Sequence, residues 1–200
     1  MSAMLTELLQ KQPIWRGGHS EQPARYLASG QPRLDEAIGG GWPQGALTEL
    51  MVATAGIGEL RLLMPALANL SRTHWVALIN PPYLPYAPAF ASHGVELQHL
   101  LIVRPGPHDR LWAAEQCLRS NACGAVVSWF DRLDFRRSRR LQLAAEAGQG
   151  CGFIFRQESS AEASAAALRI SLEHFNSTLQ LTVLKRRGGF AQQRVAMQVH

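Results

Sequence analysis

The residues whose types and spacing could do chemistry lie in one loop, Gly56-Ile57-Gly58-Glu59-Leu60. The loop follows an apolar run, Ala46 to Val52. It opens a segment in which Leu60, Leu63, Met64 and Leu67 mark one helical face. A strand, a glycine loop and a helix are the layout of a phosphate-binding P-loop, where backbone N–H groups and a lysine cradle a nucleotide. The two residues after the last glycine should then be Lys and Ser or Thr. Here they are Glu59 and Leu60. A carboxylate repels a phosphate, and a leucine offers no hydroxyl to a magnesium ion. Glu59 suits the first turn of a helix instead, where the dipole favours an acid. The expectation for Gly56, Gly58, Glu59 and Leu60 is therefore a degenerate loop with no cofactor and no catalytic residue.

Other chemistry is sparse. Cys117, Cys123 and Cys151 show no C-x-x-C spacing and read as small buried hydrophobes in a reducing compartment. The seven histidines are scattered, with no H-E-x-x-H pair, so no metal site is expected. Binding surfaces are better represented. Arg132, Arg136, Arg137, Arg139 and Arg140 crowd one expected helix, Asp134 to Ala147. Arg132, Arg136 and Arg139/Arg140 would share a face if that helix starts early enough. Such a face is either solvated or a dock for DNA phosphates or an acidic segment. No aromatic residue interleaves with the arginines, so base stacking is not indicated. Lys185-Arg186-Arg187 is a second basic turn. Tyr83, Tyr86 and Phe90 among Pro81, Pro82, Pro85 and Pro88 form an apolar loop that reads first as core and, where exposed, as a protein-binding surface. Trp15, on a polar tether, is a further anchor candidate.

The frame that must position these residues is an α/β one. The chain has 200 residues, 46% hydrophobic, with a net charge of +5 at pH 7. That suits one domain with a sizeable core, and the basic balance permits nucleic acid or an acidic protein face. No apolar run approaches the roughly 20 residues of a membrane span, and the first residues lack a signal-peptide order, so a cytoplasmic protein is expected. Met4, Leu5, Leu8 and Leu9 give a short amphipathic helix, and residues 1–25 read as that helix and a linker. Residues 26–200 read as a single domain. Its strands are Ala46 to Val52, Trp75 to Asn80, Leu100 to Val103, Ala125 to Phe130 and Gly152 to Arg156. They alternate with helices, one of them kinked or delayed by Pro65, which implies a mainly parallel sheet. Residues 168–200 alternate apolar and polar and read as an antiparallel meander on the sheet edge.

Taken together, Ser29-Gly30-x-x-x-Leu34-Asp35, then Gly39-Gly40-Gly41-x-Pro43-x-Gly45 and Thr48-Glu49-Leu50, resemble the start of a RecA-like ATPase core. The likeness continues to about residue 156. More closely, the chain resembles the ImuA family, relatives of RecA and of the cell-division inhibitor SulA. The residues that carry this are Gly39 to Gly45 with Trp42 and Pro43, Gly56 to Leu63, and Pro82-Tyr83-Leu84-Pro85-Tyr86-Ala87-Pro88. Also Leu111 to Gln116, Gly124 to Trp129, Arg140 to Glu146 and Lys185 to Gly189 carry it.

The resemblance implies a RecA-like core with a C-terminal hairpin or meander and an N-terminal helix. It implies a role in SOS-induced, mutagenic translesion DNA synthesis. The partners would be an ImuB-like Y-family protein, an error-prone polymerase and RecA, with DNA contact and homo-oligomers left open and no membrane. A SulA-like inhibitor of the tubulin-like division protein is the alternative, and a divergent ATPase a further one. Three positions depart from the ATPase pattern. Glu59 and Leu60 replace the lysine and hydroxyl residue. Asn80-Pro81-Pro82 stands where a RecA-type core carries a carboxylate that polarises the attacking water. Trp129 stands where a magnesium-holding Asp should end its strand, and Asp131 is a substitute of uncertain position.

Overall fold

The computed structural model describes residues 25–53, 56–157, 163–175, 178–187 and 193–198. The expected N-terminal helix, and Trp15 with it, lies outside the described residues.

A two-stranded ribbon, β1 (Tyr26–Leu27) against β2 (Trp42–Pro43), brackets the short helix α1 (Pro32–Ile38). Pro32 pre-sets the first turn of α1, and Gly39 closes it in the left-handed conformation at φ 92°. Gly41 stays glycine for a second reason: at φ 125° a Cβ there would lie 2.4 Å from the Leu27 carbonyl oxygen.

From the ribbon the chain runs into β3 (Ala46–Val52), buried along its whole length. A 3₁₀ turn (Glu59–Leu62) and helix α2 (Met64–Ser71) lead to β4 (Trp75–Ile79). Pro65 delays α2 instead of kinking it, since its missing N–H costs nothing at a first turn. Helix α3 (Ala87–Ser92) and a short 3₁₀ turn precede β5 (Leu100–Val103). Then follow α4 (Arg110–Arg119), β6 (Cys123–Phe130), α5 (Phe135–Gly148) and β7 (Cys151–Gln157). The last part is β8 (Leu168–Phe175), β9 (Thr178–Arg186) and β10 (Arg194–Gln198).

These strands form one eight-stranded sheet in the order β10-β9-β8-β3-β7-β6-β4-β5. Every pair from β8 to β5 is parallel, and β8–β9 and β9–β10 are antiparallel. Parallel strands covered on both faces must be apolar almost throughout, which is why β3, β4, β6 and β7 read as continuous apolar runs. Leu179, Leu181 and Val183 of β9 alternate inward with outward Gln180 and Leu184, the signature of a sheet with one covered face.

Two apolar layers hold the helices on. On one face Leu34 and Ile38 of α1, Met64 and Leu67 of α2, and Phe90 of α3 pack on Leu50, Leu78, Val127, Phe153 and Phe155. On the other, Ala113, Ala114 and Leu118 of α4 and Leu141, Ala144 and Ala145 of α5 pack on Leu47, Ile79, Val126 and Ile154. This is an α/β fold with a RecA-like core and a C-terminal antiparallel hairpin.

Candidate functional site

In an open parallel sheet a ligand is expected beyond the carboxyl ends of the central strands. That end carries the Gly56–Leu62 loop after β3, Asn80 after β4 and Trp129 in β6. Gly56 and Gly58 both take left-handed backbone, φ 90° and 87°. The Gly56 N–H donates to both carboxylate oxygens of Glu59, at 3.0 and 3.1 Å. Glu59 is buried, so its own carboxylate occupies the amide donor that a phosphate would seek. Leu60 packs against the core. The regular helix begins only at Met64, so the 3₁₀ turn, not an α-helix N-terminus, adjoins the glycines. Tyr83 lies over the same loop: a Cβ on Gly56 would sit 3.3 Å from its Cε2.

Trp129 is buried and stacks on Phe155, with ring centroids 5.3 Å apart and an interplanar angle of 22°. It shares an apolar cluster with Leu62 and Leu63. An indole packed in this apolar layer thus stands at the strand position where a metal-holding carboxylate is expected. The Asp131 side chain, the other acid near this strand end, is 93% exposed and lies 3.8 Å from Arg110 on α4. Asn80 follows β4 in left-handed backbone at φ 54°, with no acid beside it in sequence. Among the described residues no group of His, Cys, Asp and Glu is arranged to hold a metal ion.

The arginines divide. Asp134 caps α5 by accepting from the Arg137 N–H at 2.7 Å, so Arg132 lies before the helix and not on its face. The Arg137 guanidinium lies 3.5 Å from the same carboxylate. Arg140 turns to α4 and donates to Glu115 at 2.5 Å, which makes it an inter-helix tie. Arg132, Arg136 and Arg139 remain exposed without an ion pair among the described residues. Phe135, exposed between Arg132 and Arg136, corrects the expectation that no aromatic residue interleaves.

The basic turn is likewise occupied at home. Lys185 Nζ donates to the Ser164 carbonyl at 2.9 Å, Arg186 to the Ala37 carbonyl at 3.3 Å, and Arg187 lies 3.7 Å from Glu146. Desolvation, and then Arg169 opposite, push the Lys185 ammonium below its usual pKa. In the proline loop Tyr83, Leu84 and Tyr86 are exposed and Phe90 is buried, so the core reading holds for Phe90 alone.

Sequence reasoning missed Glu49. This carboxylate sits fully buried in the middle of β3, accepting from Arg169 Nε at 3.0 Å and from Ser164 Oγ, with Arg156 Nη1 at 3.7 Å. It ties β3 to β7, to β8 and to the segment before β8. The signal was present: one acid within a strand otherwise lacking charge.

Fold and loop together define a RecA-like α/β core whose phosphate loop carries a glutamate where a lysine should be. Comparison with known proteins agrees on the core. The chain is 30% identical over 113 residues to the protein RecA of Prochlorococcus marinus strain NATL1A, covering 56% of this chain and 30% of RecA. It is 29% identical over 113 residues to RecA of Prochlorococcus marinus strain AS9601, covering 56% of this chain and 31% of that RecA. It is 27% identical over 113 residues to RecA of Picosynechococcus sp. strain PCC 7002, covering 56% of this chain and 32% of that RecA. The chain thus spans about a third of the length of the curated relatives it matches. No family model matches it. The chain is RecA-related in its core. Among the described residues no helix is long and apolar enough to cross a membrane.

Proposed function

We propose that this chain is a RecA-related accessory protein that neither binds nor hydrolyses nucleotide and works through its surfaces. The observation that carries this reading is the Glu59 carboxylate held on the Gly56 amide within the loop. An ATP phosphate would have to displace a buried anion and then share the loop with it, which Coulomb repulsion opposes strongly at low local dielectric. Trp129 at the strand position expected to hold a metal-binding acid, and the absence of an acid beside Asn80, support the same reading. Phosphoryl transfer needs a positioned water and a metal, and the residues that would hold them in a RecA-type core are not there.

A protein of this kind acts by bringing others together. The setting we infer is SOS-induced translesion DNA synthesis, beside an ImuB-like Y-family protein, an error-prone polymerase and RecA. Exposed Tyr83, Leu84 and Tyr86 give one contact surface and the α4–α5 face another. Recovery of tagged protein from DNA-damaged cells tests this. The expected companions are the Y-family-like protein and the polymerase. Recovery of the tubulin-like division protein in their place would overturn the reading in favour of a SulA-like inhibitor.

A further inference from the structure

We propose that the outer face of α5 docks an acidic segment of a partner protein that also carries apolar side chains. The inference deepens the accessory reading and rests on it for the existence of a protein partner.

The face is defined by what α5 buries. Ser138, Leu141, Gln142, Ala144, Ala145 and Gly148 turn inward. Phe135, Arg139 and Leu143 follow one another at i, i+4 and i+8, and Arg136 stands beside them, so the four share one exposed stripe. Two of them are large and apolar: Phe135 and Leu143 are each 49% exposed. Arg140 reaches Glu115 and Gly148 lies against the Leu118 carbonyl, so α4 packs along another flank of α5 than this stripe.

Helix stability does not explain the cations. Arg136, Arg137, Arg139 and Arg140 occupy the first half of α5, at the positive end of its dipole, where anions and not cations are favoured. Asp134 and Glu115 neutralise Arg137 and Arg140. Arg136 and Arg139, with Arg132 ahead of them, add positive potential to a helix end that is already positive. Arginine and exposed aromatic side chains such as Phe135 are enriched at protein interfaces.

The occupant follows from the mixture. A single strand stacks its bases on successive π faces, and any nucleic acid needs a cationic track for its phosphates. Leu143 has no π face, and the exposed carboxylates of Asp131 and Asp134 break the track. Carboxylates spaced by apolar side chains match the stripe, with acids on Arg136 and Arg139 and apolar groups on Phe135 and Leu143.

The test is fluorescence anisotropy of a short synthetic peptide alternating Glu with Leu and Phe. The controls are the same peptide with Lys for Glu, and single-stranded oligo(dT). The acidic peptide should bind and the lysine peptide should not. Added salt should weaken the complex, and oligo(dT) should not displace it. The charge reversal Arg136→Glu with Arg139→Glu should cost about tenfold or more in affinity, two exposed ion pairs being replaced by repulsion. Leu143→Ser should cost roughly fivefold through lost apolar burial, and it serves alone if the double variant does not fold. Equal binding of both peptides, binding unchanged in every folded variant, or oligo(dT) binding that the same variants abolish would each overturn the proposal. These outcomes are read on the peptide alone, so failure here leaves the loop reading and the co-purified companions to their own tests.

Discussion

Glu49→Ala is the substitution whose cost the structure fixes most firmly. The carboxylate is fully buried, and the Arg156 side chain beside it is 2% exposed. Arg169 donates to it from the directly opposed position on β8, and Lys185 faces Arg169 from β9. Removing the carboxylate leaves three cations on neighbouring strands without the anion between them. Breaking a buried pair by deleting one partner costs about 3–5 kcal/mol, because the remaining charge stays desolvated. Domains hold only about 5–15 kcal/mol in total, so the loss is a large share of the stability. For a chain of 200 residues each kcal/mol moves the melting temperature by about 2–4 °C, which gives a drop of roughly 6–20 °C. Urea unfolding followed by circular dichroism measures it, with the midpoint shifting and the slope unchanged. Adding Arg169→Leu to Glu49→Ala should cost less than Arg169→Leu costs alone, because the two groups are coupled. A loss below about 1 kcal/mol, or strict additivity of the two substitutions, would refute the view that this carboxylate ties the central strands.

Gly148→Ala tests the approach of α4 to α5. In an open helix the change would stabilise by about 0.5–1 kcal/mol, but here the new Cβ would meet the Leu118 carbonyl oxygen, so a net loss of about 1–3 kcal/mol in urea unfolding is expected. The thiols differ in a way that alkylation can read. The hydrogen bond with Cys123 lowers Cys117 to about pKa 7, while burial pushes Cys151 up to about 12. The thiolate is the reactive form, so Cys117 should react with iodoacetamide at a rate that rises through neutral pH and levels off above it, and Cys151 should stay unmodified in the folded protein. A Cys117 rate still climbing at the pH of an ordinary thiol would contradict this assignment.

Much of the fold was legible because its signals are local. The apolar runs of β3, β4, β6 and β7 follow from burial on both sheet faces, and the alternation of β9 follows from burial on one. The glycines that close α1 are equally local. What sequence could not give depends on long-range geometry. Glu49 meets partners 115 and 120 residues away, so its role is invisible until the strands are paired. Arg140 looks like its exposed neighbours until α4 supplies Glu115. Arg132 would join the arginine face only if the helix began earlier, and helical spacing alone does not say that Asp134 caps it. The replaced lysine was legible at Glu59, but not that the carboxylate folds back onto the Gly56 amide.

Isothermal titration calorimetry with ATP and magnesium tests the central claim most directly, since nucleotide binding is what the loop of a RecA-type core would otherwise do. The self-capped loop predicts no binding heat from the wild-type protein, and none from a Trp129→Ala variant that remains folded, because Glu59 still holds the Gly56 amide. Saturable binding of ATP by the wild-type chain, lost on adding free triphosphate as competitor, would contradict the account.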